Sequence, residues 1–153
     1  MSGGPVGEAR DDRPDEGERP SASDPEAAGG MSAVAGRRVQ KPWGYELIWA
    51  ETDRYVGKLL HIDAGRRLSL QRHLVKDESI YVLSGRLRLH LEGDDGAVHV
   101  TEIGPGAHRR VATGRIHRYE AIETTELMEV STTELDDVVR LEDDYGREGT
   151  SVP

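Results

Sequence analysis

Residues 65–85, with the sequence GRRLSLQRHLVKDESIYVLSG, contain the pattern that decides the fold. Apolar and polar residues alternate at its start, which predicts a β-strand on which Gln71 and His73 project from the same face. Glu78 opens a second apolar run after a short turn, so pairing of the two strands would return its carboxylate to the imidazole. His117 begins another predicted strand after a turn-rich segment. We therefore expect these four side chains to meet in one small volume.

The flanking segments show the same alternation. Short apolar runs recur at intervals of about 8–12 residues with Gly-containing turns between them, a pattern typical of an all-β sandwich or barrel. The pattern is visible in KPWGYELIWA, RLRLHLEG, VHVTEI, HRYEAIE and TELMEVST. In the later stretch TTELDDVVRLEDDYG, a helical turn after a cap-like Thr and Glu, or an extended segment along the barrel, both fit the sequence.

The ends of the chain differ in composition from its middle. Residues 1–36 are rich in Gly, Pro, Ala, Ser and charged residues and have almost no large apolar side chains. Such a segment buries too little surface to offset its ordering entropy, so we expect a disordered acidic tail there. The folded domain is predicted over residues 37–147, with a flexible C-terminus at 148–153.

Charge and cysteine content exclude several function classes. The formal net charge is −9 at pH 7, which argues against capture of nucleic acid or an anionic membrane. The absence of Cys excludes disulfides, thiolate zinc sites and thiol nucleophiles. No apolar leader or long apolar run is present, so we expect a cytoplasmic protein without a membrane partner.

Two spaced motifs resemble those of the cupin family. Intervals of five, one, four and six residues separate Gly65, Gln71, His73, Glu78 and Gly85, as in the first cupin motif, with Gln replacing the usual first His. The segment from Gly106 to His117 has the spacing of the second motif, although Ala112 stands at the customary Pro. This resemblance implies a jelly-roll barrel, also called a double-stranded β-helix, with a metal held by Gln71, His73, Glu78 and His117.

The flanks narrow the resemblance. KPWGYE, LSLQ-x-H and DDVVRLEDDYGR resemble segments of the phosphomannose isomerase cupins, above all the C-terminal isomerase domain of the bifunctional bacterial enzymes, over residues 41–147. The family's His-rich run beside the ligand Glu is missing here, and Lys76 stands at the position of an Arg in that run. The resemblance implies interconversion of mannose 6-phosphate and fructose 6-phosphate through an enediol.

The ligand types suit one divalent first-row ion, with Zn²⁺ expected first and Mn²⁺, Fe²⁺, Co²⁺ or Ni²⁺ as alternatives. Lys58 matches a lysine of the family and is a candidate base, and Glu129 is the second candidate. Arg140 matches an active-site arginine of the family, so we expect it to act in catalysis and to bind the substrate phosphate together with Lys76.

Two other functions fit the same motifs. One is a cupin enzyme of different chemistry, such as an iron-dependent dioxygenase or a natural-product enzyme, because one metal cage serves many reactions. The other is a non-catalytic sensor that binds a sugar phosphate. Whichever is correct, the aromatic segment KPWGYELIW suits a homodimer interface.

Overall fold

The computed structural model describes residues 36–147 and 149–151, which form twelve β-strands. Their bounds are β1 Arg37–Lys41, β2 Gly44–Glu51, β3 Val56–Ile62, β4 Leu70–Arg72, β5 Glu78–Ser84, β6 Leu87–Glu92, β7 Val98–Ile103, β8 His108–Val111, β9 His117–Ala121, β10 Thr125–Ser131, β11 Val138–Glu142 and β12 Gly149–Ser151. These residues include no helix, and therefore no helix that could span a membrane.

The strands form two six-stranded antiparallel sheets. The first sheet has the order β1-β2-β3-β10-β5-β8, and the second has the order β12-β11-β4-β9-β6-β7. Both sheets contribute to one apolar core, in which Leu60, Val82 and Leu127 from the first sheet meet Leu87 and Tyr119 from the second. Strands that neighbour each other in a sheet are often distant in sequence, as expected of a closed jelly-roll barrel. The all-β fold class predicted from the sequence is confirmed.

Two turn positions at the ends of strands accept only glycine. Gly85 ends β5 with a φ of 79°, and a Cβ there would lie 2.2 Å from the carbonyl oxygen of Thr124. Gly44 begins β2 with a φ of 145°, and a Cβ there would lie 2.0 Å from the carbonyl oxygen of His61. Only glycine tolerates both the backbone angle and the close approach. These positions fix how the strands enter and leave the barrel.

The C-terminal segment is where the structure adds most to the sequence. The stretch after β10 contains a turn at residues 135–136 and no helix. It leads into β11, which pairs with β4, the strand that carries Gln71. Within the predicted flexible C-terminus, residues 149–151 instead form β12, which pairs with β11. The backbone hydrogen bonds of that ladder hold this part of the terminus. The predicted acidic tail falls almost entirely at residues 1–35, outside the described residues.

Candidate metal site

Three of the four predicted ligands meet in the interior of the barrel. One side-chain donor atom from each of His73, Glu78 and His117 can be chosen so that all lie within 4.8 Å of one another, and all three residues are buried. Glu78 begins β5 in the first sheet, His117 begins β9 in the second, and His73 follows β4 directly. The site is therefore built where strands of the two sheets face each other across the barrel.

The two imidazoles are oriented so that the same nitrogen of each points to the centre. Nδ1 of His73 donates to the backbone carbonyl of Asp137, and Nδ1 of His117 donates to that of Arg115 at 3.0 Å. Because a carbonyl can only accept, Nδ1 of each ring carries a proton, and Nε2 is the ring atom that faces the centre. Neither Nε2 has a hydrogen-bond partner. Carbonyl contacts of this kind fix the tautomer of metal-binding histidines.

The carboxylate of Glu78 completes an electron-rich centre. Its Oε2 lies 3.4 Å from Nε2 of His73, and its Oε1 lies 3.2 Å from Nε2 of His117. Two ring nitrogens and a carboxylate that converge in a buried space favour a cation among them. The donor set of two imidazoles and one carboxylate is that of a catalytic zinc site with an open position. The residues therefore fit a divalent ion.

Two neighbouring side chains hold the oxygens of Glu78. The hydroxyl of Tyr119 donates to Oε1 at 2.8 Å, and Nζ of Lys76 lies 2.5 Å from Oε2. Burial would raise the pKa of Glu78, but Lys76, followed by the two imidazoles, lowers it well below its ordinary value. Burial, reinforced by the negative charge of Glu78, raises the pKa of the Tyr119 phenol. Glu78 thus stays charged and Tyr119 stays a donor.

A buried row of alternating charges runs from Glu78 along the barrel. Lys76 also lies 2.9 Å from Oε1 of Glu129, and the same oxygen is 3.6 Å from Nζ of Lys58. Lys58 in turn lies 3.7 Å from Oε2 of Glu46. Burial would lower the pKa of Lys76, but the Glu129 and Glu78 carboxylates raise it above its ordinary value. Each internal charge of the row therefore has an opposite charge on both sides.

Asp137 shapes the loop that carries Lys76. Its carboxylate accepts hydrogen bonds from the backbone amides of Leu74, Val75 and Lys76 at 3.0, 2.7 and 2.8 Å, while its carbonyl holds His73. Burial would raise the pKa of Asp137, but these three amides lower it below its ordinary value. One residue from the segment before β11 therefore positions both a candidate ligand and the loop between two of the ligands.

Gln71, the fourth predicted ligand, lies on β4 with its Cα paired with that of His117. Its side chain lines the same cavity as His73 and Glu78, and its amide oxygen accepts a hydrogen bond from Ser69 at 2.6 Å. The structure thus places the amide at the site, with its oxygen engaged by a neighbouring hydroxyl. Its role as a ligand stays a prediction.

The other predicted site residues line one cavity, which His73 and Glu78 also line. Lys58, Lys76, Glu129 and Arg140 all line it, as does Trp43. Lys76 is held by two carboxylates, a feature its place in the sequence did not indicate. Arg140 is half-buried on β11, where burial and the nearby positive charge of Arg147 lower the pKa of its guanidinium. The cavity thus combines two of the candidate ligands, buried ion pairs and guanidinium groups.

Several residues of the site were missed by the sequence analysis. Tyr119 could have been found, because it stands two residues after His117 on the same strand face. Glu46 stands on β2 and touches the charge row only through pairing of β2 with β3. Asp137 has no local signal, because its contact with His73 spans 64 residues of sequence. The four other histidines, His61, His90, His99 and His108, lie outside the cluster, as expected.

Comparison with known proteins agrees with this geometry. A family model described as mannose-6-phosphate isomerase C-terminal matches residues 30–143. The mannose-1-phosphate guanylyltransferase of Escherichia coli is 32% identical over 117 residues, which cover 72% of this chain and 23% of that protein. Its counterpart ManC from Salmonella typhimurium is 33% identical over the same shares. The chain thus spans about a quarter of the length of these relatives.

Solved structures show the same fold at low identity. KdgF from a Halomonas species matches with a TM-score of 0.57 and 20% identity, covering 66% of this chain and 91% of that one. Oxalate decarboxylase from Bacillus subtilis matches with a TM-score of 0.59 and 16% identity over 76% and 34%. CapF from Staphylococcus aureus, a capsular polysaccharide assembling protein, matches with a TM-score of 0.60 and 15% identity over 72% and 35%. With its fold, its buried triad and the matched residues in agreement, the chain is a cupin and belongs to the mannose-6-phosphate isomerase C-terminal family.

Proposed function

We propose that this chain is a metal-dependent aldose–ketose isomerase that interconverts mannose 6-phosphate and fructose 6-phosphate. The observation that carries the proposal is the buried cluster of His73, Glu78 and His117. Two of its members, His73 and Glu78, line a cavity that the ion-paired Lys58 and Glu129 also line. Family membership supports the choice of a hexose phosphate as substrate. The reaction moves one proton between C1 and C2 and needs no redox partner.

The cluster would hold the divalent ion through Nε2 of His73 and His117 and one oxygen of Glu78, and Gln71 is a fourth candidate from β4. When bound, the ion would supply positive charge beside the sugar oxygens as negative charge develops on the enediol. Tyr119 and Lys76 hold the two oxygens of Glu78, so the carboxylate need not rearrange when the ion binds. Zn²⁺ is our first expectation for the ion, with Mn²⁺, Fe²⁺, Co²⁺ and Ni²⁺ as alternatives.

Lys58 and Glu129 are the proposed proton-transfer pair. One of them takes the proton from C2 of the aldose and returns it to C1, while the hydroxyl proton of O2 passes to O1, so that the aldehyde becomes the ketone of fructose 6-phosphate. Both are buried and face the same cavity as the ligand cluster. Their charged atoms lie 3.6 Å apart, so each group can stabilise the charge of the other during proton transfer. Arg140 lies at the same cavity and is proposed to stabilise the enediolate or hold the phosphate.

The test is turnover by the metal-loaded protein. The protein is stripped of metal, reloaded with each of the five ions in turn, and assayed in both directions with mannose 6-phosphate and fructose 6-phosphate. We also expect deuterium from heavy water to enter at C2 of mannose 6-phosphate, because the abstracted proton exchanges with solvent. Full loading with no turnover of any hexose phosphate and no exchange would defeat the proposal.

Variants assign the base. We expect Glu129→Gln and Lys58→Met each to lower kcat about 10²–10⁴-fold, the usual contribution of a general acid or base. Deuterium exchange separates their roles, because loss of the base abolishes exchange whereas loss of its partner slows exchange and turnover together. Glu126→Gln is the matched control, since Glu126 lies on the same strand but on its outer face near His61.

A homodimer is proposed as the assembled form. The outer face of the first sheet exposes apolar side chains on neighbouring strands, including Trp49, Tyr81 and Val130. A cross-strand row joins Leu59, Met128 and Tyr81 on that face. We expect light scattering to give twice the mass of the chain and Tyr81→Glu to return it to a monomer. A monomer at micromolar concentration before mutation would contradict the proposal.

A further inference from the structure

A second arginine, which the sequence analysis did not select, lies at the cavity beside Arg140. Arg147 follows β11 in the chain, and both guanidinium groups line the cavity that His73 and Glu78 also line. The two are close enough for the charge of Arg147 to act on Arg140. Two like charges at one cavity are favourable only when an anion or a carboxylate lies near them.

Arg147 is held by a carboxylate behind it. Its Nε and Nη2 donate to the two oxygens of Asp143 at 3.0 and 2.7 Å, and its backbone amide donates to the same carboxylate at 2.7 Å. The Asp143 side chain is fully buried, whereas that of Arg147 keeps 29% exposure. Nη1 of Arg147 makes no hydrogen bond among the described residues. The guanidinium is therefore fixed along one edge and keeps donors for a ligand.

The lysines of the cavity, unlike Arg147, are ion-paired with carboxylates that also line it. Lys58 and Lys76 are buried between carboxylates of the charge row, and Lys41 lies 3.6 Å from Glu46. A lysine that serves as counterion to two buried carboxylates would leave them uncompensated if it turned to a substrate. Phosphate recognition is thus better served by the guanidinium side of the cavity than by Lys76.

Charge balance points the same way. The cavity is lined by five basic side chains, Lys41, Lys58, Lys76, Arg140 and Arg147, and by four carboxylates, those of Glu46, Glu78, Glu129 and Asp136. Asp143, behind Arg147, is a fifth carboxylate. These ten charges sum to zero. A divalent ion at the ligand cluster would therefore leave the cavity with a net charge of about +2. A phosphate monoester, which carries up to two negative charges at neutral pH, restores the balance.

We propose that Arg147, oriented by Asp143 and acting with Arg140, binds the phosphate of the sugar substrate and makes the cavity select a phosphorylated sugar over a neutral one. This rests on the proposed function for the identity of the sugar, but not for the binding of phosphate. Arg147 is a binding residue and Asp143 is a positioning residue that acts through it.

The test measures binding apart from turnover. The metal-loaded full chain is titrated calorimetrically with mannose 6-phosphate, inorganic phosphate and mannose. We expect Arg147→Gln to weaken mannose 6-phosphate and phosphate binding about 10–100-fold, the effect of losing a charge-assisted hydrogen bond, and to leave mannose binding unchanged. Asp143→Asn should give a smaller loss in the same direction. Arg67→Gln is the control, because Arg67 forms a similar two-bond pair with Asp144 but does not line the cavity.

The outcomes separate this proposal from the isomerase proposal. Arg147-dependent phosphate binding without turnover would support the phosphate site while the isomerase proposal fails. Equal weakening of mannose and mannose 6-phosphate, unchanged phosphate binding in Arg147→Gln, or no binding of either phosphate by the unmodified protein would each overturn it. If Arg147→Gln does not fold, Arg147→Lys is measured instead. This variant keeps the positive charge but loses the planar guanidinium, so we expect an intermediate loss of affinity for phosphate and no change in affinity for mannose.

Discussion

Nζ of Lys76 lies 2.5 Å from Oε2 of Glu78 and 2.9 Å from Oε1 of Glu129, so one buried ammonium joins a candidate metal ligand to a candidate base. All three side chains are at most 5% exposed. Removal of Lys76 would leave two carboxylates buried without their shared counterion. The position of a single lysine therefore governs both the stability of the barrel and the charge of the site.

The first prediction concerns this lysine in metal-free protein. Lys76→Met should lower the free energy of unfolding by about 3–5 kcal/mol, because one partner of a buried ion pair is removed. Urea denaturation measures the change. The double variant Lys76→Met with Glu129→Gln should be destabilised less than the sum of the single variants, since one stranded charge is removed. Strictly additive effects would contradict the pairing.

The second prediction concerns metal content. His73→Ala should abolish stoichiometric binding of the divalent ion, because it deletes one of the two imidazole ligands. Elemental analysis of protein loaded with Zn²⁺ and desalted gives the ratio directly. His90→Ala is the control, since His90 contacts Glu120 on another part of the second sheet. Full occupancy in His73→Ala would refute the ligand assignment.

The third prediction concerns the hydroxyl that holds Glu78. Tyr119→Phe should weaken Zn²⁺ binding about 10–100-fold, the usual effect of losing an outer-shell partner of a ligand. Competition with a chromophoric chelator measures the affinity. Tyr81→Phe, at an exposed tyrosine of the first sheet, should leave the affinity unchanged. Equal affinity in both variants would mean that the 2.8 Å contact does not position the carboxylate.

The fourth prediction concerns acid stability of the metal-free protein. The pKa of Asp137 is lower in the folded state than its ordinary value of about 4, so its contribution to stability is present above pH 4 and is lost as the pH falls through the folded pKa. Asp137→Asn should cost about 2 kcal/mol at pH 7, and this difference should shrink below pH 4. Urea denaturation from pH 7 to pH 3 tests it, with exposed Asp136→Asn as control. A difference that stayed constant with pH would contradict the role of the charge.

The fold was largely predictable because strand periodicity is a local property. Alternation of apolar and polar residues located the strands, and the spacing of Gly65, Gln71, His73, Glu78 and His117 placed the ligands in order. The expected pairing of the strands that carry His73 and Glu78 was wrong, because β4 and β5 lie in opposite sheets. The two side chains meet across the barrel interior instead. Strand pairing could not be foreseen at the C-terminus, where β11 lies beside β4 and not beside the strand that precedes it.

The environment of the ligands was much less predictable. Lys76 was predicted from the sequence only as a loop residue that binds phosphate. The three amide bonds to Asp137 shape its loop, and its side chain is buried between two carboxylates. Arg147 reads as the end of a surface segment, yet the buried Asp143 four residues earlier aligns it with the cavity. The first role depends on a contact across 61 residues of sequence, and the second on where β11 lies in the barrel. Periodicity reports neither.

Asp137 holds both the ring of His73 and the loop before Glu78, so shortening the chain from its C-terminal side would affect the candidate metal site. A chain that stopped at Ser131, the end of β10, would still contain every predicted ligand in its sequence, but it would lose the carbonyl that fixes the ring of His73 and the carboxylate that shapes the neighbouring loop. Metal capture and sugar recognition would disappear together on such shortening. The last strands of this chain are therefore poor places to shorten it when a minimal metal-binding barrel is sought.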